Sequence, residues 1–168
     1  MAILEILKIP DARLKQESEP VEVFDDELRA FIADLEETRL DGPAAVGIAA
    51  PQVGMFKRIC IIDCSTTRKP VPNHGRLVLV NPEITHWEGY EPGREGCLSV
   101  PDYTGNVIRA TRIKLNAQDE FGEVHEYEME GYEARAVQHE IDHLDGMLFV
   151  DRVVSRRTDL FKRKVYQK

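Results

Sequence analysis

The segment that most constrains this chain is Gln138-His139-Glu140-Ile141-Asp142-His143. Two histidines four residues apart point the same way on an α-helix, where both imidazoles can reach one metal ion. On such a helix Glu140 is turned by about 100° from His139, too far round to be an equal third ligand but well placed to meet a water on the metal as general base. The helix is expected from about Tyr132 to Asp145. Gly131 precedes it, Gly146 can close it in the left-handed conformation, and Val137, Ile141 and Leu144 share one face. The bare pattern also fits two histidines that merely fall at helical spacing, so the rest of the chain has to decide.

A catalytic metal site usually takes three protein ligands and keeps one position open, so a third ligand must come from elsewhere. Cys97 is the best candidate, in Glu95-Gly96-Cys97-Leu98-Ser99-Val100-Pro101. Gly96 permits a tight backbone approach there, and Leu98-Ser99-Val100 reads as a short strand that would fix the thiolate. Cys60 and Cys64 are weaker candidates, in or beside the apolar run Ile59–Ile62, where a free cysteine usually acts as a small buried hydrophobe. His74, His86 and His125 lie in polar settings without partners at ligand spacing and read as surface residues.

Around these segments the pattern is that of one α+β domain spanning residues 1–168. Leu28, Phe31, Ile32 and Leu35 mark a helical face ending near Leu40, with Asp25 as N-cap. From Gly42 onward the apolar runs are short: Ile59–Ile62, Leu77–Val80, Val107-Ile108 and Ile113–Leu115, split by Gly, Pro, Asn and Asp. Phe121-Gly122-Glu123 reads as a hairpin turn. The expected architecture is short, mostly antiparallel strands around a central metal-bearing helix, with further helices near the N-terminus and at the C-terminus. The stretch 155–168 is locally basic, with Arg156, Arg157, Lys162, Arg163, Lys164 and Lys168 against Asp159, and reads as a solvated terminal helix or tail.

Net charge is −8, from 22 Lys plus Arg against 30 Asp plus Glu, which argues against a general or specific DNA binder. Nothing approaches the roughly 20 consecutive apolar residues of a membrane helix, and the N-terminus lacks the features of a cleavable leader. Three cysteines, an odd number, fit a reducing compartment better than a disulfide framework. A cytoplasmic protein is expected.

A third segment, Val46-Gly47-Ile48-Ala49-Ala50-Pro51-Gln52-Val53-Gly54, packs small residues around one amide, which can approach a ligand and donate to an oxyanion. With Glu-Gly-Cys-Leu-Ser at 95–99 and Gln-His-Glu-x-Asp-His at 138–143, it resembles the peptide deformylase family. Ile6–Leu14 and Asp145-Gly146-Met147-Leu148-Phe149 extend the likeness over most of the chain. One departure is Ala45, which aligns with the first glycine of the family loop Gly-x-Gly-x-Ala-Ala-x-Gln.

The resemblance implies a divalent ion held by Cys97, His139 and His143, with Glu140 as proton carrier, and Gln52 and the Leu98 N–H stabilising the oxyanion. The substrate implied is an N-formylmethionyl peptide and the products formate and a free N-terminal methionine. The methionine side chain needs an apolar pocket, and the residues preceding His139 on its helical face are Ala136, Arg135 and Tyr132. The Arg135 stem would line that pocket while its guanidinium reaches water. Val46, Gly47 and Gly96 would complete the site, and Glu95 with Arg109 would form an ion pair that steadies the Cys97 loop. Fe(II) is implied by resemblance, although zinc, nickel or cobalt suit the same ligands. The family's work on nascent chains makes the ribosome a candidate partner for the basic tail. Two rival readings are a zinc peptidase, which shares the His-Glu-x-x-His helix but commonly takes a third His or Glu downstream, and a structural zinc domain, which has no need of Glu140.

Overall fold

The structure is a computed structural model that describes residues 3–41, 45–67, 69–153, 155 and 157–162. Among the described residues, eight strands form two antiparallel sheets, accompanied by two α-helices. The larger sheet orders β1 (Gly47–Ala49), β2 (Ile59–Asp63), β3 (Arg76–Glu88), β6 (Arg112–Gln118) and β7 (Val124–Glu130) side by side. The smaller sheet is β4 (Glu91–Cys97), β5 (Val100–Arg109) and β8 (Leu160–Lys162). The helices are α1 (Asp26–Leu40) and α2 (Gly131–Leu144).

The unbroken apolar run in β2 follows from cover on both of its faces. Cys60 and Ile62 face a core shared with Ala134, Val137 and Leu144 of α2. Ile59 and Ile61 face the opposite way, into a core shared with Ile32 and Leu35 of α1. A third core joins Leu7 and Leu14 to Val100 and Val107 of β5 and to Phe149. α1 begins where expected: the Asp25 side chain accepts from the Leu28 N–H at 3.0 Å. α2 ends at a left-handed Gly146 (φ 75°), with the Met147 N–H donating to Asp142 O at 2.8 Å. Nine of the fourteen α2 residues are buried, including both histidines, more than a helix lying on a surface would bury.

Three local expectations are corrected. The run at Leu77–Val80 is only the start of a 13-residue strand, β3, whose outer half is polar and whose register shifts after Val80. At that shift Asn81 adopts φ 51° and bonds the Val21 backbone twice, a role its short amide suits. Leu98 and Ser99 form the turn between β4 and β5 rather than a strand. The expected C-terminal helix is replaced at Leu160–Lys162 by β8, which pairs with the edge of β5 through Tyr103↔Lys162, Thr104↔Phe161 and Gly105↔Leu160. Open backbone groups on that edge outweigh the weak helical tendency of a short basic segment. Residues 163–168 and Arg156 lie outside the described residues.

Candidate active site

Three segments distant in sequence meet at one cleft of about 1170 Å³. α2 supplies His139 and Glu140 to the cleft lining, with His143 one turn on and within reach of Cys97 and His139. The end of β4 supplies Cys97, and the single turn of 3₁₀ helix after β1 (Ala50–Val53) supplies Gln52. Cys97 Sγ lies 3.3 Å from His143 Nε2, near the roughly 3.5 Å expected for two ligands of a tetrahedral ion. Ligand atoms of Cys97, His139 and His143 all fall within 4.8 Å of one another.

The histidines are held for that geometry. His139 Nδ1 is bonded to Glu95 Oε1 at 2.8 Å, which leaves Nε2 for the cleft. Burial opposes charge on the His139 ring, but Glu140, Cys97 and Glu95 around it prevail and hold its pKa well above that of an ordinary imidazole. Burial, then the neighbouring His139 and Arg109, push His143 well below. One thiolate with two imidazoles fits a divalent transition ion.

Glu140 is 4% exposed and its Oε1 has no hydrogen-bond partner among the described residues. Burial pushes its carboxyl up to about 7, within the range suited to taking and returning a proton near neutral pH. Gln52 is 1% exposed: its Oε1 accepts from the Ala49 N–H at 2.9 Å, and Nε2 donates to Ser99 Oγ at 3.0 Å and to Cys97 Sγ at 3.4 Å. The N-terminal segment ties this corner together, with the Leu7 N–H on Gln52 O at 2.6 Å and the Ile9 N–H on Ser99 O at 2.9 Å.

Glu95 and Arg109 form a buried two-pronged pair, with both bonds at 2.9 Å. Burial alone would raise the Glu95 carboxyl, but its bonds to Arg109 and His139 hold it down at about 2. Arg109 also reaches Asp142 Oδ2 at 2.5 Å, and Arg152 grips the same carboxylate through two bonds of 2.9 Å. Val46, Gly47, Gly96, Tyr132, Arg135 and Ala136 all line the cleft, as does Leu98. The Arg135 guanidinium does not reach out to water as expected; it is bonded to Glu95 and to two backbone carbonyls. Cys60 and Cys64 are buried in the sheet core, and His74, His86 and His125 are exposed.

Sequence reasoning gave no role to Ser99, Asp142 or Arg152, although the first two stand inside the quoted motifs. Gln138 was also passed over; it brackets Ala110, accepting from its N–H and donating to its carbonyl.

Comparison with known proteins gives the family. The family model described as polypeptide deformylase matches residues 3–159. The chain belongs to that family. It is 44% identical over 165 residues to a peptide deformylase of Acidobacterium capsulatum, covering 98% of this chain and 95% of the relative. A crystal structure of a peptide deformylase from Legionella pneumophila superposes with a TM-score of 0.83 at 43% identity, covering 90% of this chain and 86% of that one. A Met-Ala-Ser-bound structure of the class I type b peptide deformylase of Acinetobacter baumannii gives a TM-score of 0.84 at 38% identity, covering 90% and 99%. Peptide deformylases are metal-binding hydrolases of protein biosynthesis, and their reaction is deformylation of N-formylmethionine.

Proposed function

We propose that this cleft removes the formyl group from the N-terminal formylmethionine of new polypeptides, with residues 1–168 acting as one catalytic domain. The observation that carries the assignment is the convergence of Cys97, His139 and His143 beside a buried Glu140 whose Oε1 has no hydrogen-bond partner among the described residues. Cys97, His139 and His143 would hold one divalent ion, Fe(II) by family resemblance, with zinc, nickel or cobalt compatible with the same donors. When bound, the ion supplies Lewis acidity to the formyl oxygen and makes water more acidic.

The residues of the chain do the rest. Glu140 takes the proton of the attacking water and returns it to the leaving amine, so formate and a free amine depart with protons balanced. Gln52 Nε2 and the Leu98 N–H donate to the oxyanion that develops on the formyl oxygen. Glu95 and Arg109 hold His139 in one tautomer. Tyr132, Arg135 and Ala136 form the wall for the methionine side chain, and Val46, Gly47 and Gly96 lie along the peptide backbone. That the Acinetobacter baumannii relative binds Met-Ala-Ser supports a peptide as substrate.

The test is formate release from a formyl-Met peptide by anaerobically prepared protein loaded with Fe(II), beside the zinc form and Glu140→Ala. Rapid release, lost in Glu140→Ala, is the expected result. Cleavage of an unformylated peptide instead would turn the reading to a peptidase. No helix among the described residues is long and apolar enough to cross a membrane, and work on new chains places the enzyme in the cytoplasm. The basic stretch 155–168 is offered as a ribosome contact; co-sedimentation with ribosomes unchanged by truncation at Ser155 would remove that role.

A further inference from the structure

We propose that Arg135 is a positioning residue for His139, acting through the Glu95 carboxylate, and that Gly93 is the space its guanidinium requires. The inference rests on the reading of the cleft given above and adds to it a residue otherwise assigned only to the pocket wall.

Arg135 and His139 stand one helical turn apart on α2 and address opposite oxygens of the same carboxylate. His139 Nδ1 is 2.8 Å from Oε1, and Arg135 Nη1 is 2.8 Å from Oε2. Arg109 takes one position on each oxygen, Nη2 on Oε1 and Nε on Oε2, both at 2.9 Å. A carboxylate offers about four lone-pair positions, so Arg135 is the donor that fills the last one and removes the remaining freedom of Glu95 to rotate. The guanidinium is itself pinned, by Val107 O of β5 at 2.8 Å and Glu91 O of β4 at 2.7 Å. One side chain thus ties the helix that carries the histidines to the hairpin that carries Cys97. A β-carbon at Gly93 would stand 2.7 Å from Arg135 Cζ and 2.9 Å from Nε and Nη2, so any other residue there displaces the guanidinium.

The experiment uses the zinc-loaded enzyme and compares Arg135→Ala, Arg135→Lys, Gly93→Ala and the Gly93→Ala/Arg135→Ala double variant. It reads kcat and KM on a formyl-Met tripeptide, the rate of zinc loss to a chelator, and Tm. Arg135→Ala is expected to lower kcat roughly tenfold, whatever KM rise follows from the lost pocket wall, and to speed zinc loss roughly tenfold, as outer partners of metal-bound histidines do. Arg135→Lys recovers part of both losses. Gly93→Ala reproduces them, and the double variant is no worse than Arg135→Ala, because the added methyl then has nothing to displace. A rise in KM at unchanged kcat would reduce Arg135 to a pocket wall. A lower Tm with kcat and zinc loss unchanged would make it a structural staple, and losses that add in the double variant would break the link to Gly93. Any of these overturns the proposal. If the unmodified enzyme releases no formate with any metal, the functional reading fails separately, while zinc loss still tests Arg135.

Discussion

A β-carbon on Gly47 would stand 2.8 Å from Oε2 of Glu140, so β1 passes the carboxylate proposed as general base at a distance that only glycine permits. Ile62 Cδ1 closes the other side at 2.9 Å. Gly47 thus bears on the proposed chemistry by what it lacks, and the backbone proposed to guide substrate doubles as one wall around Glu140.

Gly47→Ala is therefore expected to shift Glu140 rather than unfold the chain. Misplacing a reacting group by about 1 Å can cost on the order of a hundredfold in rate, and kcat should fall at least about tenfold. The overpacking itself should cost about 1–3 kcal/mol of stability. Formate release and thermal melting of the zinc-loaded variant check the two halves. An unchanged kcat would mean that the carboxylate has room to move aside.

The three thiols should separate cleanly. Burial pushes Cys64 up to about 12 and raises Cys60 well above an ordinary thiol, whereas Cys97 lines the cleft. With a pKa near 12, the thiolate fraction at pH 9 is only about 0.1%, and it grows about tenfold per pH unit. Metal-free native protein should present one reactive thiol between about pH 7 and 9, zinc-loaded protein none, and denatured protein all three. Cys97→Ser should abolish the native signal. Two fast thiols in the native protein would contradict the burial of the sheet core.

Most of the site was legible because its residues sit at fixed local spacings. The i, i+4 histidines demand a helix, and that helix is α2, off by one residue at each end. The β2 run was legible as a strand, since four consecutive apolar residues need cover on both faces. The polar support was not legible. Asp142 meets Arg109 across 33 residues and Ser99 meets Gln52 across 47, separations that no local pattern encodes. The Arg135 guanidinium was misjudged for the same reason: its partners lie on β4 and β5, and its room is set by the missing side chain at Gly93. β8 was missed because strand pairing with a distant edge outweighs the local preference of a three-residue segment.

Ser99→Ala tests how far Gln52 depends on its neighbour. Ser99 is fully buried and accepts one of the two Gln52 amide contacts, so its loss leaves that amide held mainly by the Ala49 N–H and Cys97 Sγ. A stability loss of about 1 kcal/mol is expected from the missing hydrogen bond. A kcat reduced a few-fold, with zinc content unchanged, is expected from a looser oxyanion donor. Full activity in Ser99→Ala would show that Cys97 and Ala49 suffice to aim the amide.

The C-terminal strand should be held on β5 in part by a stacked pair. Arg94 Cζ lies 3.8 Å from the centre of the Phe161 ring, and Arg94 lines the cleft beside Thr104, the residue that pairs with Phe161 across β5 and β8. A cation–π contact at an exposed site contributes about 0.5–1 kcal/mol. In a chain of this size that corresponds to a Tm shift of roughly 2–4 °C per kcal/mol. Phe161→Ala and Arg94→Ala should each lower Tm by a few degrees, and the double variant should fall by less than their sum, because the second substitution removes a partner already lost. kcat on a short formyl-Met peptide should stay near that of the unmodified enzyme, since neither residue touches the ligand cluster. Additive Tm losses would mean that ring and guanidinium merely lie side by side, leaving backbone pairing as what holds β8 on the edge of β5.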